Sequence, residues 1–385
     1  MITPRTTLTR RITAALDASP SRIPVLLGGC GSGRTTLLQQ VRERVGRSVS
    51  QYIDVEHAAT TPERFLRALG ASSPFAAPTS PLGARPAFDA AMQFLTKSRA
   101  SGRQEPATFL LDEFLELRTF ESFPGLRRVL FDFADGLVDS GNRFVLTSRY
   151  TTRALRLLRD RSARFEVIHL PALTVEDTVD MLDAPAGGDG EFTARTVHAL
   201  ADGRPSYVSA LGAELRRMRE AGVPGGDDAV SALVALMGPG GAIATECNFS
   251  YELRLHRARG YGALKAILEI LAEDEGLTLT EISQRLQRTP GSTKDYLSWL
   301  EDVDLVVSRQ KRYSYADPLL RVWVRLHCQP VPPTEDEVAR EVHRYALPRL
   351  PQTEPALALA AAGPASSTSP AVEDDRKGWG IIEID

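Results

Sequence analysis

Short apolar runs alternate with amphipathic stretches along the first part of this chain. A helical pattern covers residues 1–22, and strand-like apolar runs then recur between helical segments, at residues 23–27, 50–55, 107–114, 142–149 and 165–170. Strands that alternate with helices are typical of a parallel sheet covered by helices on both faces. The pattern therefore predicts an α/β core over residues 1–171.

The strand-like runs stop after Pro171. Amphipathic stretches predict a small lid of helices over residues 172–240, in three segments at 173–182, 192–201 and 206–218. A second module follows, with helices predicted at 263–272, 280–286 and 291–301 and a hairpin of residues 305–307 and 313–315. This order is that of a winged helix-turn-helix, predicted here over residues 241–329.

The last part of the chain has a different composition. One more helix is predicted at about residues 335–345, within a segment 330–347, and residues 348–385 form an acidic tail. Its Pro/Ala/Ser-rich first part, residues 348–372, is predicted to be disordered. The tail ends in Trp379-Gly380-Ile381-Ile382-Glu383-Ile384-Asp385, which is either a docking segment, for a protein partner or for the chain's own body, or a frayed end.

Composition narrows the classes of protein to consider. With 385 residues, 43% apolar and 25% charged, the chain suits two or three globular domains. No apolar run is long enough to span a bilayer and residues 1–11 lack a signal-peptide core, so we expect a cytoplasmic protein without membrane contact. Three cysteines and six histidines are scattered without disulfide or zinc spacing.

A glycine-rich loop carries the main chemical signal. Gly28-Gly29-Cys30-Gly31-Ser32-Gly33-Arg34-Thr35-Thr36 stands between a predicted strand and a predicted helix and fits the pattern GxxxxGK[ST], except that Arg34 replaces lysine. In such a loop the backbone N–H groups surround phosphates, and the helix dipole adds positive potential. Thr35 falls where a hydroxyl ligates Mg²⁺. The alternative interpretation is a glycine-rich surface turn.

Polar residues end two other predicted strands. Asp112 and Glu113 end one of them, where Asp112 is placed to hold Mg²⁺ and Glu113 to activate an attacking water. Thr147, Ser148 and Arg149 end the next, where a hydroxyl could sense a terminal phosphate and Arg149 could stabilise its charge. Each feature alone also fits an ordinary turn or helix start.

Together these motifs resemble those of the STAND and archaeal-type ATPases of the AAA+/P-loop superfamily, over residues 10–327. Gly28 to Thr35 is similar to the Walker A loop, Leu110 to Glu113 to Walker B, and Leu146 to Arg149 to the sensor strand. Gly203-Arg204-Pro205 resembles the GxP turn, whose proline lies near the base, and Tyr315 to Trp323 resembles the end of the winged helix. The resemblance implies that ATP or ADP binds with Mg²⁺ and that nucleotide state is coupled to the packing of lid and winged helix.

The resemblance also implies a homo-oligomer whose site is completed by an arginine of the neighbouring subunit, with Arg127 or Arg128 as the candidate. Arg34 departs from the pattern because a guanidinium is wider and forked where an ammonium is compact. We therefore expect nucleotide binding with slow or impaired hydrolysis.

Two hypotheses follow. The first is a regulatory ATPase whose catalytic residues are Glu113 and Arg149. The second is a non-hydrolysing adaptor that senses nucleotide and binds DNA or a protein through its winged helix and tail. The predicted recognition helix carries Lys294 beside acids, and only Arg309, Lys311 and Arg312 of the wing offer phosphate contacts, so strong sequence-specific DNA recognition is not expected.

Overall fold

Five parallel strands form the central sheet of the protein. The computed structural model describes residues 5–71, 73–79, 81–99, 105–184, 188–222, 228–256 and 260–350. The strands are β1 (Ile23–Leu27), β2 (Ser50–Asp54), β3 (Thr108–Asp112), β4 (Arg143–Ser148) and β5 (Phe165–His169). Their spatial order is β2-β3-β4-β1-β5. Every neighbouring pair is parallel, so all five carboxyl ends lie at one edge of the sheet.

Helices cover both faces of this sheet. In chain order they are α1 (Thr6–Asp17), α2 (Arg34–Val45), α3 (Val55–Ala58), α4 (Pro62–Ala71), α5 (Ala84–Lys97), α6 (Val129–Val138) and α7 (Thr151–Leu158). One face packs Leu26 and Leu110 against Ile12 of α1 and Leu38 of α2. Because the central strands are covered on both sides, β1 and β3 are buried at every position, as their continuous apolar sequences predict.

Five helices follow the sheet. They are α8 (Val175–Leu182), α9 (Gly188–Ala201), α10 (Pro205–Glu220), α11 (Ala229–Met237) and α12 (Ala242–His256). Thr174 begins α8 with a capping box formed with Asp177. Among the described residues no single helix is long and apolar enough to cross a membrane; only α11 and α12 together, bent by 49°, reach that length and composition.

The second module is a winged helix. It contains α13 (Tyr261–Glu273), β6 (Leu277–Thr278), α14 (Leu279–Arg285), α15 (Pro290–Asp302), β7 (Val306–Arg309) and β8 (Arg312–Tyr315). The three short strands form an antiparallel sheet in the order β6-β8-β7. Behind it lie α16 (Pro318–His327) and α17 (Glu335–Ala346). α17 packs on both α11 and α16.

The predicted strands and most predicted helices are present close to their expected bounds. Four helices lie in segments for which no helix was predicted: α3, α7, α11 and α12. A 3₁₀ helix over Phe114–Ser122 was also missed. The tail from residue 351 onward lies outside the described residues, and the domain boundaries stay predictions.

Candidate nucleotide-binding site

The glycine-rich loop joins β1 to α2 at the carboxyl edge of the sheet. Gly31 and Gly33 have φ of 72° and 82°, a left-handed conformation that favours glycine. Ser32 N donates to Gly29 O at 3.3 Å. In the described part of the chain, the N–H groups of Gly31, Gly33 and Arg34 donate to no protein acceptor. These groups stand at the start of α2 and are available to an anion.

A cavity of about 400 Å³ opens beside this loop. Residues 31–37 of the loop and helix line one part of it. The remaining lining comes from Arg5, which precedes α1, from Gln40 of α2, and from the lid residues Leu173, Met181, Pro205, Ser206 and Ser209. Apolar and polar side chains thus share one cleft, which is the ordinary character of a small-molecule site.

Arg34 is buried, and both of its terminal nitrogens donate to acceptors of the protein. Its Nη1 donates to the carbonyl oxygens of Gly28 and Gly29 and, at 3.0 Å, to Ser32 Oγ. Its Nη2 donates to Glu113 Oε1 at 2.7 Å. The guanidinium therefore links the loop to the end of β3. A lysine, with one nitrogen, could not make both sets of contacts at once.

Glu113 lies between two arginines. Besides Arg34, it binds Arg149, whose Nε is 3.1 Å from Glu113 Oε1 and whose backbone N donates to Oε2 at 3.0 Å. Burial alone would raise the pKa of Glu113, but the charges of Arg34 and Arg149 hold that pKa below its ordinary value. Glu113 also has a φ of 56°, a strained conformation for a residue with a side chain.

Asp112 forms the second acidic centre. Its Oδ2 accepts from Thr35 Oγ1 at 2.6 Å and from Tyr52 Oη at 3.0 Å, and its Oδ1 accepts from Thr147 Oγ1. Thr147 also accepts from Glu113 N at 3.0 Å, so one hydroxyl sets the positions of both acids. A hydroxyl next to a carboxylate is an oxygen donor set that suits Mg²⁺, and Thr35 and Asp112 fit the predicted ligand roles.

Arg149 is held by a third acid. Its Nη2 binds Glu56 Oε2, at the start of α3, in addition to the contacts with Glu113. Burial would lower the pKa of Arg149, yet the neighbouring acids raise it above its ordinary value. The chain Arg34, Glu113, Arg149 and Glu56 is therefore a continuous row of alternating charges at the edge of the sheet.

The lid touches the loop directly through the Gly203-Arg204-Pro205 turn. Pro205 lines the cavity, and the next residue, Ser206, donates from its backbone N to Gly31 O at 3.2 Å. Arg204 donates to Cys30 O at 3.3 Å and to Ala316 O at 2.7 Å. The predicted GxP turn therefore lies beside the glycine-rich loop.

The start of α15 and the wing are exposed. Thr289 caps α15, and Lys294 of that helix is exposed, as are Arg309, Lys311 and Arg312 of the wing. Arg312 donates to Gly276 O at 2.7 Å, while Lys294, Arg309 and Lys311 form no ion pair with the described residues. These cations are free to meet an anionic partner.

The structure brings the predicted loop, Asp112, Glu113, Arg149 and Pro205 into one site. Arg127 and Arg128 do not line the cavity; Arg128 lies over the Phe131 ring. Sequence reasoning missed four contributing residues: Arg5, Tyr52, Glu56 and Arg254. For Tyr52 and Glu56 the end of β2 was a usable signal, because parallel strands end at one edge. Arg254, on α12, contributes through its Nη2, which donates to Cys30 Sγ at 3.0 Å.

Comparison with known proteins gives matches to structures and to one family model. The model, described as "Winged helix-turn-helix DNA-binding", matches residues 263–307. No curated protein sequence matches the chain. Among solved structures, the Walker-type ATPase PABY2304 of Pyrococcus abyssi matches with a TM-score of 0.61 and 17% identity, over 84% of this chain and 96% of that one.

Two further structures are similar at lower scores. The Orc1 protein of Aeropyrum pernix, in complex with DNA, has a TM-score of 0.46 and 16% identity, over 89% of this chain and 93% of that chain. Cdc6p of Pyrobaculum aerophilum has a TM-score of 0.40 and 15% identity, over 91% and 96%. The sheet order, the PABY2304 match and the family model confirm the predicted fold class.

Proposed function

We propose that this chain, which has the fold of the AAA+ P-loop ATPases and a C-terminal winged helix-turn-helix domain, is an ATP-binding regulatory ATPase that hydrolyses ATP slowly. The observation that carries the proposal is the meeting of the loop with Asp112, Glu113 and Arg149 at one edge of the sheet. The STAND assignment is part of this proposal. So is the coupling of nucleotide state to lid and winged helix, which the contacts of Arg204 with Cys30 O and Ala316 O support.

The residues have distinct proposed roles. The free N–H groups of Gly31, Gly33 and Arg34 bind the phosphate oxygens, and Gly28, Gly29, Cys30, Ser32 and Thr36 complete the loop. Thr35 and Asp112 hold Mg²⁺, which neutralises phosphate charge when bound. Glu113 orients and deprotonates the attacking water, and Arg149 stabilises the charge of the terminal phosphate. Pro205 borders the base.

Slow hydrolysis follows from the state of Glu113. A general base must accept a proton, and a carboxylate paired with two guanidinium groups is a weaker base because protonation would leave both arginines unpaired. Hydrolysis then requires the terminal phosphate to draw Arg34 or Arg149 away. Arg34, which replaces the usual lysine, is therefore proposed to restrain the base as well as to bind phosphate.

Binding and turnover measured together test this proposal. We expect the wild type to bind MgATP and to release phosphate slowly, and Glu113→Gln to keep binding while losing turnover by at least about tenfold, because the base is removed and the shape kept. Wild-type protein that binds no ATP would refute the whole proposal. Turnover that is unchanged in Glu113→Gln would refute the hydrolytic part.

A second candidate is a non-hydrolysing adaptor that binds DNA through the winged helix. It is favoured by the matched family model and by the exposed Lys294, Arg309 and Lys311. Its test is a mobility-shift titration at several salt concentrations, because phosphate contacts give a steep loss of affinity with salt. Lys311→Ala should reduce that slope by about one. A salt-independent shift, or none, would exclude this candidate.

A further inference from the structure

We propose that Arg254 is a positioning residue that joins the phosphate loop to the winged-helix domain, so that docking of that domain supports nucleotide binding. Arg254 lies on α12, just before the winged helix, and no motif in the sequence marks it. The inference rests on the proposed nucleotide site. It adds Arg254 to that site and states that docking of the winged helix strengthens nucleotide binding.

Arg254 bridges two segments that are far apart in the chain. Its Nη2 donates to Cys30 Sγ at 3.0 Å, across 224 residues of sequence, and its Nη1 donates to Asp304 O at 2.8 Å. The side chain is 3% exposed. A buried guanidinium that loses one acceptor leaves unsatisfied donors away from water, which is costly. The contacts with loop and winged helix therefore support each other.

The Cys30 contact acts on the part of the loop that most needs support. Cys30 stands between Gly29 and Gly31, and ordering such flexible residues costs conformational entropy. Arg254 fixes the thiol, Arg204 the carbonyl of Cys30, and Ser206 the carbonyl of Gly31. With these atoms held from outside, the N–H groups of Gly31 and Gly33 are left for a ligand.

The Asp304 contact connects this support to winged-helix docking. Asp304 follows α15, and its Oδ2 accepts from Thr151 N, the first residue of α7, at 2.5 Å. Two residues earlier, Asp302 pairs with Arg156 of α7 at 2.6 Å. The turn that receives Arg254 is thus the turn that docks on the core. Pulling the winged helix away removes one of the two acceptors of Arg254.

Thermodynamic linkage determines whether bound nucleotide strengthens or weakens docking of the winged helix. If docking holds the loop in its phosphate-binding form, bound nucleotide must strengthen docking by the same factor. A partner that removes the winged helix from α7 would then weaken nucleotide binding. In the opposite mechanism nucleotide would release the winged-helix domain, and docking would then have to prevent the loop from binding phosphate. The free N–H groups of Gly31, Gly33 and Arg34 argue against this mechanism.

The first test is a double-mutant cycle on the affinity for a fluorescent ATP analogue. We expect Arg254→Ala and Cys30→Ala each to weaken binding by about 5-fold or more, the low end of typical coupling factors. Because both substitutions remove the same contact, the affinity of the double variant should fall by much less than the product of the two single-variant factors. Arg321→Ala is the matched control, since Arg321 bonds to Ala272 O and Glu273 O within the winged-helix domain.

The second test is hydrogen exchange of residues 151–158 with and without MgATP. ATP should slow exchange there in the wild type and have a smaller effect in Arg254→Ala. If Arg254→Ala folds poorly, Cys30→Ala alone carries the measurement, because it leaves the buried arginine bonded to Asp304. A purely structural arginine would lower stability without changing the response to ATP.

Several results would overturn the inference. They are affinities within twofold of the wild type in both single variants, effects that multiply in the double variant, or exchange at α7 that ATP leaves unchanged or accelerates. Failure of the wild type to bind ATP refutes the proposed function instead. Hydrogen exchange of the nucleotide-free protein then tests whether Arg254 joins the loop to the winged helix, because Arg254→Ala must speed exchange at residues 151–158.

Discussion

At the scale of single residues, the site depends on shared hydrogen-bond partners more than on any one group. Thr147 contacts both acids, Arg34 contacts the loop and Glu113, and Arg254 contacts the loop and the winged helix. Each is buried, so removing one partner leaves polar atoms unsatisfied. A substitution here is expected to affect stability and binding together, which is why the tests use matched variants.

Gly31 provides a sharp residue-scale prediction. Its φ is 72°, and a Cβ at this position would collide with Ser206 Oγ. Gly31→Ala should therefore push the lid from the loop and weaken ATP binding by at least about tenfold, given a strain of about 1–3 kcal/mol. Gly29→Ala is the matched control, because its Cβ would meet only Arg204 Nη1 at 3.4 Å. Equal affinities for the two variants, measured by titration, would contradict this.

Sequence reasoning reached the residues of this site that belong to local patterns. The loop and the acids at the end of β3 follow directly from strand ends and glycine spacing. The partners of those residues were not predictable in this way. Arg254 and Cys30 meet only after the chain has folded, and nothing near Arg254 in sequence distinguishes it from an ordinary basic residue in the last turn of a helix.

At the scale of elements, apolar runs predicted the strands well because both faces of the sheet are covered. The helix α11 was missed for a related reason. Its sequence, Ala229–Met237, is apolar almost all round, so it lacks the alternation of apolar and polar faces that indicates a surface helix. The 3₁₀ helix after Glu113 buries Phe114, Leu115, Leu117 and Phe120, a spacing that fits neither helix nor strand.

The turn after α15 leads to a prediction about pH. Burial raises the pKa of Asp304 to about 6. Hydrogen bonds from Thr151 and Thr152 and the charge of Arg254 lower this pKa, but burial has the larger effect. Because the folded pKa is above the ordinary value for aspartate, folding binds a proton at Asp304, and the contribution of this residue to stability increases as pH falls from 7 toward 4. The effect is at most about 3 kcal/mol, since one pKa unit is about 1.4 kcal/mol.

Comparison with Asp304→Asn isolates this contribution. The asparagine keeps an acceptor for Thr151 N and cannot titrate. We expect the free energy of unfolding of the wild type, relative to the variant, to increase between pH 7.5 and pH 5, as measured by urea denaturation. A relative stability that is constant or decreases over this range would show that Asp304 has no raised pKa in the folded protein.

At the scale of the whole molecule, helices from distant parts of the chain hold the modules together. The segment of residues 330–347 was predicted as a separate helix after the winged helix. In the structure α17 buries Val338, Val342 and Tyr345, and Tyr345 Oη donates to Leu200 O of α9 at 2.8 Å. The helix therefore connects the lid with the winged-helix region, a role that its amphipathic pattern alone could not reveal.

Truncation tests the role of α17. A chain that ends at Leu350 serves as the reference, and a chain that ends at Pro333 lacks α17. The shorter chain should have a melting temperature at least about 5 °C lower, because it exposes apolar surface of α11 and α16. Tyr345→Phe, which removes one hydrogen bond of about 1 kcal/mol, should have a small effect. Equal melting temperatures of the two truncated chains would show that α17 adds no stability.

In the proposed function, this protein binds ATP at the glycine-rich loop and hydrolyses it slowly because Arg34 restrains Glu113. The most direct measurement is steady-state phosphate release at saturating MgATP by the wild type, by Arg34→Lys and by Arg34→Lys with Glu113→Gln. We predict that Arg34→Lys raises kcat by at least about tenfold, since a compact ammonium leaves Glu113 less tightly paired, and that adding Glu113→Gln abolishes the gain. Turnover by Arg34→Lys no faster than that of the wild type, with ATP bound, would contradict the account.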